Sequence, residues 1–130
     1  MEYIHLEGTW LNEFGSIMEI RSVNSDTGMF VGIYKSHTGA TGVYNLTGMT
    51  DIKPDPKVNS QTVAFAISWR NIGPGGEDES SNWVSAFSGQ VQIADENQLK
   101  MTTTYLLQKD TNPSDNWGST IVDKATFTRQ

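Results

Sequence analysis

Four neutral polar side chains in the first third of the sequence could bind a small molecule. Asn12 and Ser16 flank the turn of segment 8–16 (GTWLNEFGS), and Tyr34 and Ser36 share one face near the end of a later apolar run. Together they offer one amide and three hydroxyls, which suits a neutral, planar, hydrogen-bonding head group such as a urea or an amide. The alternative is that Asn12 and Ser16 only satisfy their turn, and on this hairpin alone that explanation is the better one.

Enzymatic chemistry finds no support in the sequence. Its two histidines, His5 and His37, do not stand at metal-ligand spacings, and His5 lies in an N-terminal segment that we expect to fray. The chain has no Cys, which excludes disulfides and thiol nucleophiles. It carries no nucleophile elbow, phosphate-binding loop or dinucleotide fingerprint. We therefore expect no enzyme, no metal site and no cofactor.

The charge balance narrows the possible partners. Nine Lys and Arg against fifteen Asp and Glu give a net charge of −6, without a basic stripe. Such a chain is a poor ligand for nucleic acids and for anionic membranes, and no apolar run is long enough to span a bilayer. The first residues resemble no signal peptide, so we expect an intracellular protein if Met1 is the native start and a secreted one if a leader was removed.

Short strands separated by turns must position these side chains. The 130 residues suffice for a single domain, 1–130, and turn signals recur at regular short intervals. No segment has a helical period, so we expect no helix longer than about two turns. Eight runs rich in β-branched and aromatic residues predict an all-β, eight-stranded antiparallel barrel, with strands at 7–13, 16–22, 29–36, 43–50, 61–70, 83–94, 98–108 and 118–128.

The alternation of side chains distinguishes the two faces of these strands. In the fifth run, Val63, Phe65, Ile67 and Trp69 fall on one face, and the other face is small and weakly polar. A solvent-exposed strand face usually carries more charge, so we expect the small outer face to be partly buried between subunits. The longest irregular segment, 71–82, is expected to be a mobile surface loop with a solvated acidic run.

Seven short segments, followed by a final TFT at 126–128, form an ordered set along nearly the whole chain. They are GTWLNEFGS at 8–16, TGMFVGIYKS at 27–36, LTG at 46–48, ISWRN at 67–71, FSGQ at 87–90, TYLL at 104–107 and WGSTIV at 117–122. Together these segments resemble the avidin/streptavidin family. The absence of Cys and of a leader, and the segment MEI at 18–20, resemble its bacterial and fungal branches.

The resemblance implies an eight-stranded up-and-down barrel, usually tetrameric, that binds biotin at its open end. Residues that match the family's donors to the biotin ureido oxygen are Asn12, Ser16 and Tyr34, and Ser36 matches an acceptor for one ureido N–H. The residues that match the walls and lining around the ring system are Trp69, Ser85, Phe87, Tyr105, Leu107 and Ile121. The loop that closes over the valerate carboxylate matches Thr38, Gly39 and Ala40, and Trp117 matches a lid donated by a neighbouring subunit.

Three positions depart from the family pattern. Tyr105 replaces a Trp of the deep wall and adds a hydroxyl that needs a partner. Trp83 replaces a small hydroxyl residue near the carboxylate. Ala125 replaces the Asp or Asn that accepts the second ureido N–H, a loss of roughly 1–3 kcal/mol. Asp123 shares the strand face of Ala125 and could reach the ligand instead, directly or through water.

The sequence thus leads to a non-catalytic small-molecule binding protein, with biotin as the expected ligand and affinity reduced by Ala125. The partners expected are biotin and further copies of the chain, as a homotetramer or at least a dimer. The alternative is a barrel of this fold adapted to another neutral small molecule or a sugar, as in a lectin-like or defence protein. A third hypothesis is an interaction protein whose pocket has no function and whose acidic segment 71–82 contacts a partner.

Overall fold

The computed structural model describes residues 3–36, 41–93 and 98–130. In it, eight antiparallel strands follow one another in chain order around a closed barrel, and β8 pairs with β1. The strands are β1 Gly8–Asn12, β2 Ile17–Val23, β3 Met29–Lys35, β4 Val43–Thr50, β5 Ser60–Ser68, β6 Val84–Ile93, β7 Leu99–Gln108 and β8 Thr120–Arg129. The expected all-β, eight-stranded antiparallel up-and-down barrel is therefore confirmed.

Strict alternation of buried and exposed residues sets the inner face of the barrel. Along β5, Val63, Phe65 and Ile67 are buried, and the residues between them are exposed. The register of β5 with β6 places Phe65 opposite Phe87 and Ile67 opposite Ser85. Because a strand's side chains alternate between its two faces, this register brings the Phe87 and Ser85 side chains into the barrel beside the core.

Residues that precede β1 close the end of the barrel at which β1 begins. Leu6 is fully buried, and its carbonyl accepts the indole N–H of Trp10 at 2.9 Å. The Gln61 side chain accepts from the Ile4 backbone N–H at 2.6 Å and donates to the Ile4 carbonyl at 3.0 Å. Arg129 donates to the His5 carbonyl at 2.9 Å. The expectation of a frayed segment around His5 is therefore wrong, because apolar burial and backbone hydrogen bonds fix it in place.

Helical structure in the described parts of the chain is confined to one short 3₁₀ segment. It spans Pro113–Gly118 between β7 and β8, which fits the expected limit of about two turns for those parts. Proline suits the start of a helix because its φ is preset and its missing N–H is not needed there. Across the residues that are described, no helix is long and apolar enough to cross a membrane.

Candidate functional site

A cavity of about 230 Å³ opens at the end of the barrel where β1, β3, β5 and β7 finish. The β1–β2, β5–β6 and β7–β8 connections lie at this end of the barrel. Among the described residues, the cavity wall contains no charged side chain, and those that form it are Asn12, Phe14, Tyr34, Ser36, Trp69, Ser80, Trp83, Ser85, Phe87, Tyr105, Leu107 and Ala125. A wall of aromatic and small polar groups is typical of sites for neutral small molecules.

The β1–β2 turn holds Asn12 in the cavity wall. Gly15 has a φ of +83°, which glycine adopts without strain, and its N–H donates to the Asn12 carbonyl at 3.2 Å. The Asn12 side-chain oxygen accepts the backbone N–H groups of Phe14 at 3.0 Å and Ser16 at 2.9 Å. The Asn12 amide group also donates to the Tyr34 hydroxyl at 3.0 Å. Asn12 therefore both satisfies its turn and forms part of a polar cluster in the cavity.

The Tyr34 phenol is the centre of this cluster. Its residue is only 5% exposed, and burial raises its pKa, although hydrogen bonds with Ser16 and Asn12 oppose that shift. The phenol therefore stays neutral at physiological pH. The neutral Asn12 and Tyr34 side chains each keep a hydrogen to donate, because Asn12 uses only one of its two amide hydrogens on Tyr34, whereas the hydroxyl hydrogen of Ser16 is used in its hydrogen bond with Tyr34. The cluster can thus provide two donors to one acceptor atom without introducing charge.

Trp69 and Ser85 form a second polar contact in the wall. The Trp69 indole N–H donates to the Ser85 hydroxyl oxygen at 2.9 Å, which leaves the hydroxyl hydrogen available to a ligand. The Trp69 ring makes edge contacts with Tyr34 at 5.5 Å and with Tyr44 at 5.0 Å between centroids. These contacts fix the indole plane, so the wall is in place before a ligand arrives.

Packed aromatic rings form another part of the wall. Phe87 lies parallel to the buried Phe65, with centroids 4.6 Å apart, and its centroid is 4.9 Å from that of Tyr105. Phe127 contacts both Phe65 and Phe87 from below at 6.4 Å. Aromatic side chains packed in this way present rigid apolar area, which favours a compact apolar ring system between Phe87 and Trp69.

The β7–β8 side of the cavity differs from the rest of the wall. Tyr105 and Ala125 both line it, but the Tyr105 hydroxyl makes no hydrogen bond with any described residue. Burial raises the pKa of Tyr105, and the charges of Asp123 and Glu13 raise it further. Asp123 itself is exposed, and its carboxylate accepts the Lys124 backbone N–H at 2.7 Å. A ligand donor at Ala125 therefore meets a methyl group instead of a hydrogen-bond acceptor.

The structure brings eight of the fourteen expected site residues into the cavity wall. Ser16 lies behind the wall and acts through Tyr34, with which it shares a hydrogen bond. Trp117 is 89% exposed in the 3₁₀ segment, and Asp123 lies on the exposed part of β8. Thr38, Gly39 and Ala40 lie outside the described residues. The eight in the wall are Asn12, Tyr34, Ser36, Trp69, Ser85, Phe87, Tyr105 and Leu107.

Two wall residues, Phe14 and Ser80, are not predicted from the sequence. Phe14 lies at the tip of the first turn, and Ser80 lies in the segment expected to be a mobile loop. Hydrogen bonds organise both ends of that segment: the Asn71 side-chain oxygen accepts the backbone N–H groups of Val43 and Gly73, and the Ser80 hydroxyl donates to Asp78 at 2.6 Å. Sequence alternation does not extend into turns, so neither residue had a periodic signal.

In the parts of the chain that are described, no cluster of three or more His, Cys, Asp or Glu residues could hold a metal ion. The wall offers instead a neutral donor cluster, one indole–hydroxyl pair and two aromatic surfaces. This arrangement can bind and orient a small neutral head group.

Comparison with known proteins assigns the chain to a family. The family model described as the avidin family matches residues 1–130. The chain is similar to avidin-related protein 4/5 of Gallus gallus, at 31% identity over 130 residues that cover 95% of this chain and 77% of that protein. It is also similar to avidin of Gallus gallus, at 30% identity over 134 residues and the same coverage. A crystal structure of xenavidin superposes with a TM-score of 0.82 at 26% identity over 100% of both chains. The chain belongs to the avidin family, a family of non-catalytic binding proteins.

Proposed function

We propose that this barrel binds biotin, with the ureido head group in the depth of the cavity. The observation that supports this proposal best is the neutral cluster of Asn12, Tyr34 and Ser16, joined by hydrogen bonds beside Ser36. A urea oxygen accepts several hydrogen bonds, and the cluster can supply two donors to one point. Ser36 is the proposed acceptor for the first ureido N–H.

The aromatic walls suit the fused ring system of biotin. Trp69 and Phe87 face the cavity from β5 and β6, and Ser85 can offer its hydroxyl hydrogen to the ring sulfur. The cavity volume of about 230 Å³ lies below the roughly 300–1,000 Å³ typical of ligand pockets. A small, compact head group therefore fits better than a large ligand.

Ala125 makes the proposed binding weaker than an intact acceptor set allows. The second ureido N–H, enclosed by Phe87 and Tyr105, finds no protein acceptor at Ala125. An unpaired buried donor costs about 1–3 kcal/mol, or about one to two decades of affinity. Biotin remains the proposed ligand because one missing hydrogen bond lowers the total affinity but leaves the other contacts in place.

Self-association is part of the proposal. Apolar side chains on the outside of the barrel include Val31, Met49, Leu106 and Val122, each about half exposed or more. Exposed apolar area on this scale favours packing against a second barrel. Trp117, also exposed, is proposed to cover the cavity of a neighbouring copy, and residues 38–40 to contact the biotin tail. Light scattering at micromolar concentration should give a dimer or tetramer, and a strictly monomeric mass would contradict this.

Calorimetry with biotin at neutral pH tests the proposed function directly. Tyr34→Phe removes the central donor, and we expect biotin affinity to fall about ten-fold. Tyr44→Phe is the matched control, because Tyr44 is buried and contacts Trp69 but does not line the cavity. Equal losses in both variants, or no binding to the folded wild type, would overturn the proposal.

A second candidate function rests on the unusual β7–β8 side. The Tyr105 hydroxyl lines the cavity without a hydrogen bond among the described residues, and Ala125 provides space beside it. A neutral ligand with a hydroxyl in place of the second N–H, such as a sugar, would pair with Tyr105 there. A glycan and metabolite screen separates this candidate from biotin, because a sugar ligand should bind more tightly than biotin and be weakened by Tyr105→Phe.

A further inference from the structure

Lys109 is a cation that lies beside Trp83 at the cavity mouth. Lys109 follows β7 directly, and its backbone N–H continues the pairing with β8 by donating to the Ser119 carbonyl at 2.7 Å. It therefore continues the inward face that carries Tyr105 and Leu107, and it is half-buried. Its ammonium nitrogen is 5.0 Å from the ring centroid of Trp83, which lines the cavity.

The Lys109 ammonium is available to an anion. Among the described residues, the two ion pairs join Arg21 with Glu19 and Arg70 with Glu77, so neither uses Lys109. The contact with the Trp83 ring positions the ammonium but does not neutralise its charge. An ammonium has three N–H donors, and those not directed at the ring can bind a carboxylate.

Acidic groups lie along β8 beside Tyr105. Asp123 pairs with Tyr105 in the register of β7 with β8, and both Glu13 carboxylate oxygens accept the Thr126 backbone N–H, at 3.0 and 3.1 Å. These two charges act on Tyr105 in the wall, whereas Lys109 lies beyond the end of β7. An anionic group is therefore repelled from the part of the cavity near Tyr105 and attracted toward Lys109.

We propose that Lys109, positioned by Trp83, is the group that recognises an anion at the mouth, and that it selects ligands with a neutral head and a carboxylate tail. The inference rests on the proposed function, because it assigns the end of the same ligand that lies outside the neutral wall. The neutral head group occupies the deep, uncharged part of the cavity, and the carboxylate of the tail lies beside the Lys109 ammonium at the mouth. Lys109 is thus a specificity-determining residue.

The test compares biotin with its primary amide, in which the carboxylate is replaced by a neutral group of similar size. Affinities of both are measured by calorimetry for the wild type, Lys109→Gln and Lys109→Glu at low salt. We expect the wild type to bind biotin about five- to ten-fold more tightly than the amide. Lys109→Gln should remove this preference, and Lys109→Glu should reverse it. Lys100→Gln is the matched control, because Lys100 is exposed on β7 at the opposite end of the barrel.

Each outcome bears on one proposal at a time. An acid preference that disappears in Lys109→Gln but persists in Lys100→Gln, and that weakens at high salt, supports the assignment. An unchanged preference in Lys109→Gln overturns it while biotin binding stands. If neither compound binds the folded wild type, the proposed function fails first and this inference falls with it.

Discussion

Replacing Ala125 with Asp should strengthen biotin binding, and the site explains why. Ala125 is 3% exposed and lines the cavity, and its carbonyl accepts the Thr103 hydroxyl at 2.7 Å. This hydrogen bond and the pairing of Thr103 with Ala125 hold the backbone, so the new side chain enters the cavity without a change of register. The carboxylate then stands beside the ureido N–H that lacks an acceptor.

The size of the effect is a balance of two contributions. A hydrogen bond to a charged acceptor contributes about 1.5–3 kcal/mol, which sets the upper limit of the increase in biotin binding free energy. Burial of the carboxylate and repulsion from Asp123 and Glu13, which already act together on Tyr105, oppose its ionisation. The net gain should be about 1–3 kcal/mol, or about five- to 150-fold in affinity. It should increase as the pH rises and the new group ionises.

The assay is calorimetry with biotin on a complete mutant cycle. Ala125→Asp, Asp123→Ala and the double variant are compared with the wild type, and Ala125→Asn adds a neutral acceptor as the control for charge. The structure places Asp123 on the exposed part of β8 with its carboxylate on the Lys124 N–H, so Asp123→Ala should change affinity little.

Two results would refute this reasoning in different ways. If Asp123→Ala weakens binding and Ala125→Asp adds little, Asp123 already serves the second N–H. If neither variant changes biotin affinity although both fold, the ureido assignment is wrong and the sugar or metabolite candidate takes its place.

Three further predictions use other parts of the barrel. Trp117→Ala should weaken biotin binding more than ten-fold but change the free energy of unfolding by less than about 0.5 kcal/mol, because Trp117 is 89% exposed within one copy; equal affinities would restrict it to a local role. Leu6→Ala should lower the free energy of unfolding in urea by about 2–5 kcal/mol and leave biotin affinity unchanged; a small loss would show that the N-terminal segment does not close the core. Burial raises the pKa of Tyr34, Tyr44 and Tyr105 above the ordinary 10.0, so the folded barrel keeps phenol protons that the unfolded chain releases. The free energy of unfolding should therefore fall as the pH rises above 10, less steeply in Tyr34→Phe, and a flat profile up to pH 11 would contradict it.

Regular alternation explains how much of the fold was predictable. In β5, β6 and β7 most of the large apolar and aromatic side chains fall at every second position, so the inner face and the positions of Phe87 and Ser85 follow from counting along the strand. Closure follows from eight such strands without helical segments between them. The resemblance to a family then predicted that the inward polar residues Asn12 and Tyr34 bind the same ligand group, which alternation alone does not predict.

The parts that were not predictable depend on contacts between distant segments. Ser80 enters the wall because Asp78 and Asn71 organise the β5–β6 connection, and no local pattern marks that hydrogen bonding. The N-terminal segment packs because Gln61, 57 residues away, binds Ile4 through two hydrogen bonds. In the sequence, polar side chains that hold a loop cannot be distinguished from solvent-exposed ones, because only the fold shows what they contact.

The separation of charge from the cavity wall explains why one changed residue need not abolish function. Every wall residue in the described part of the chain is uncharged, and Glu13, Asp123 and Lys109 lie outside the wall. A neutral head group enters such a cavity without leaving a charge unpaired, so its affinity is a sum of several hydrogen bonds and buried apolar area. Loss of the acceptor at Ala125 removes one contribution from that sum. The charged side chains at the rim can meanwhile select among ligands that differ in their tails. Solvent screens these charges, so the electrostatic contribution of each is small and adds separately to the binding of the head group.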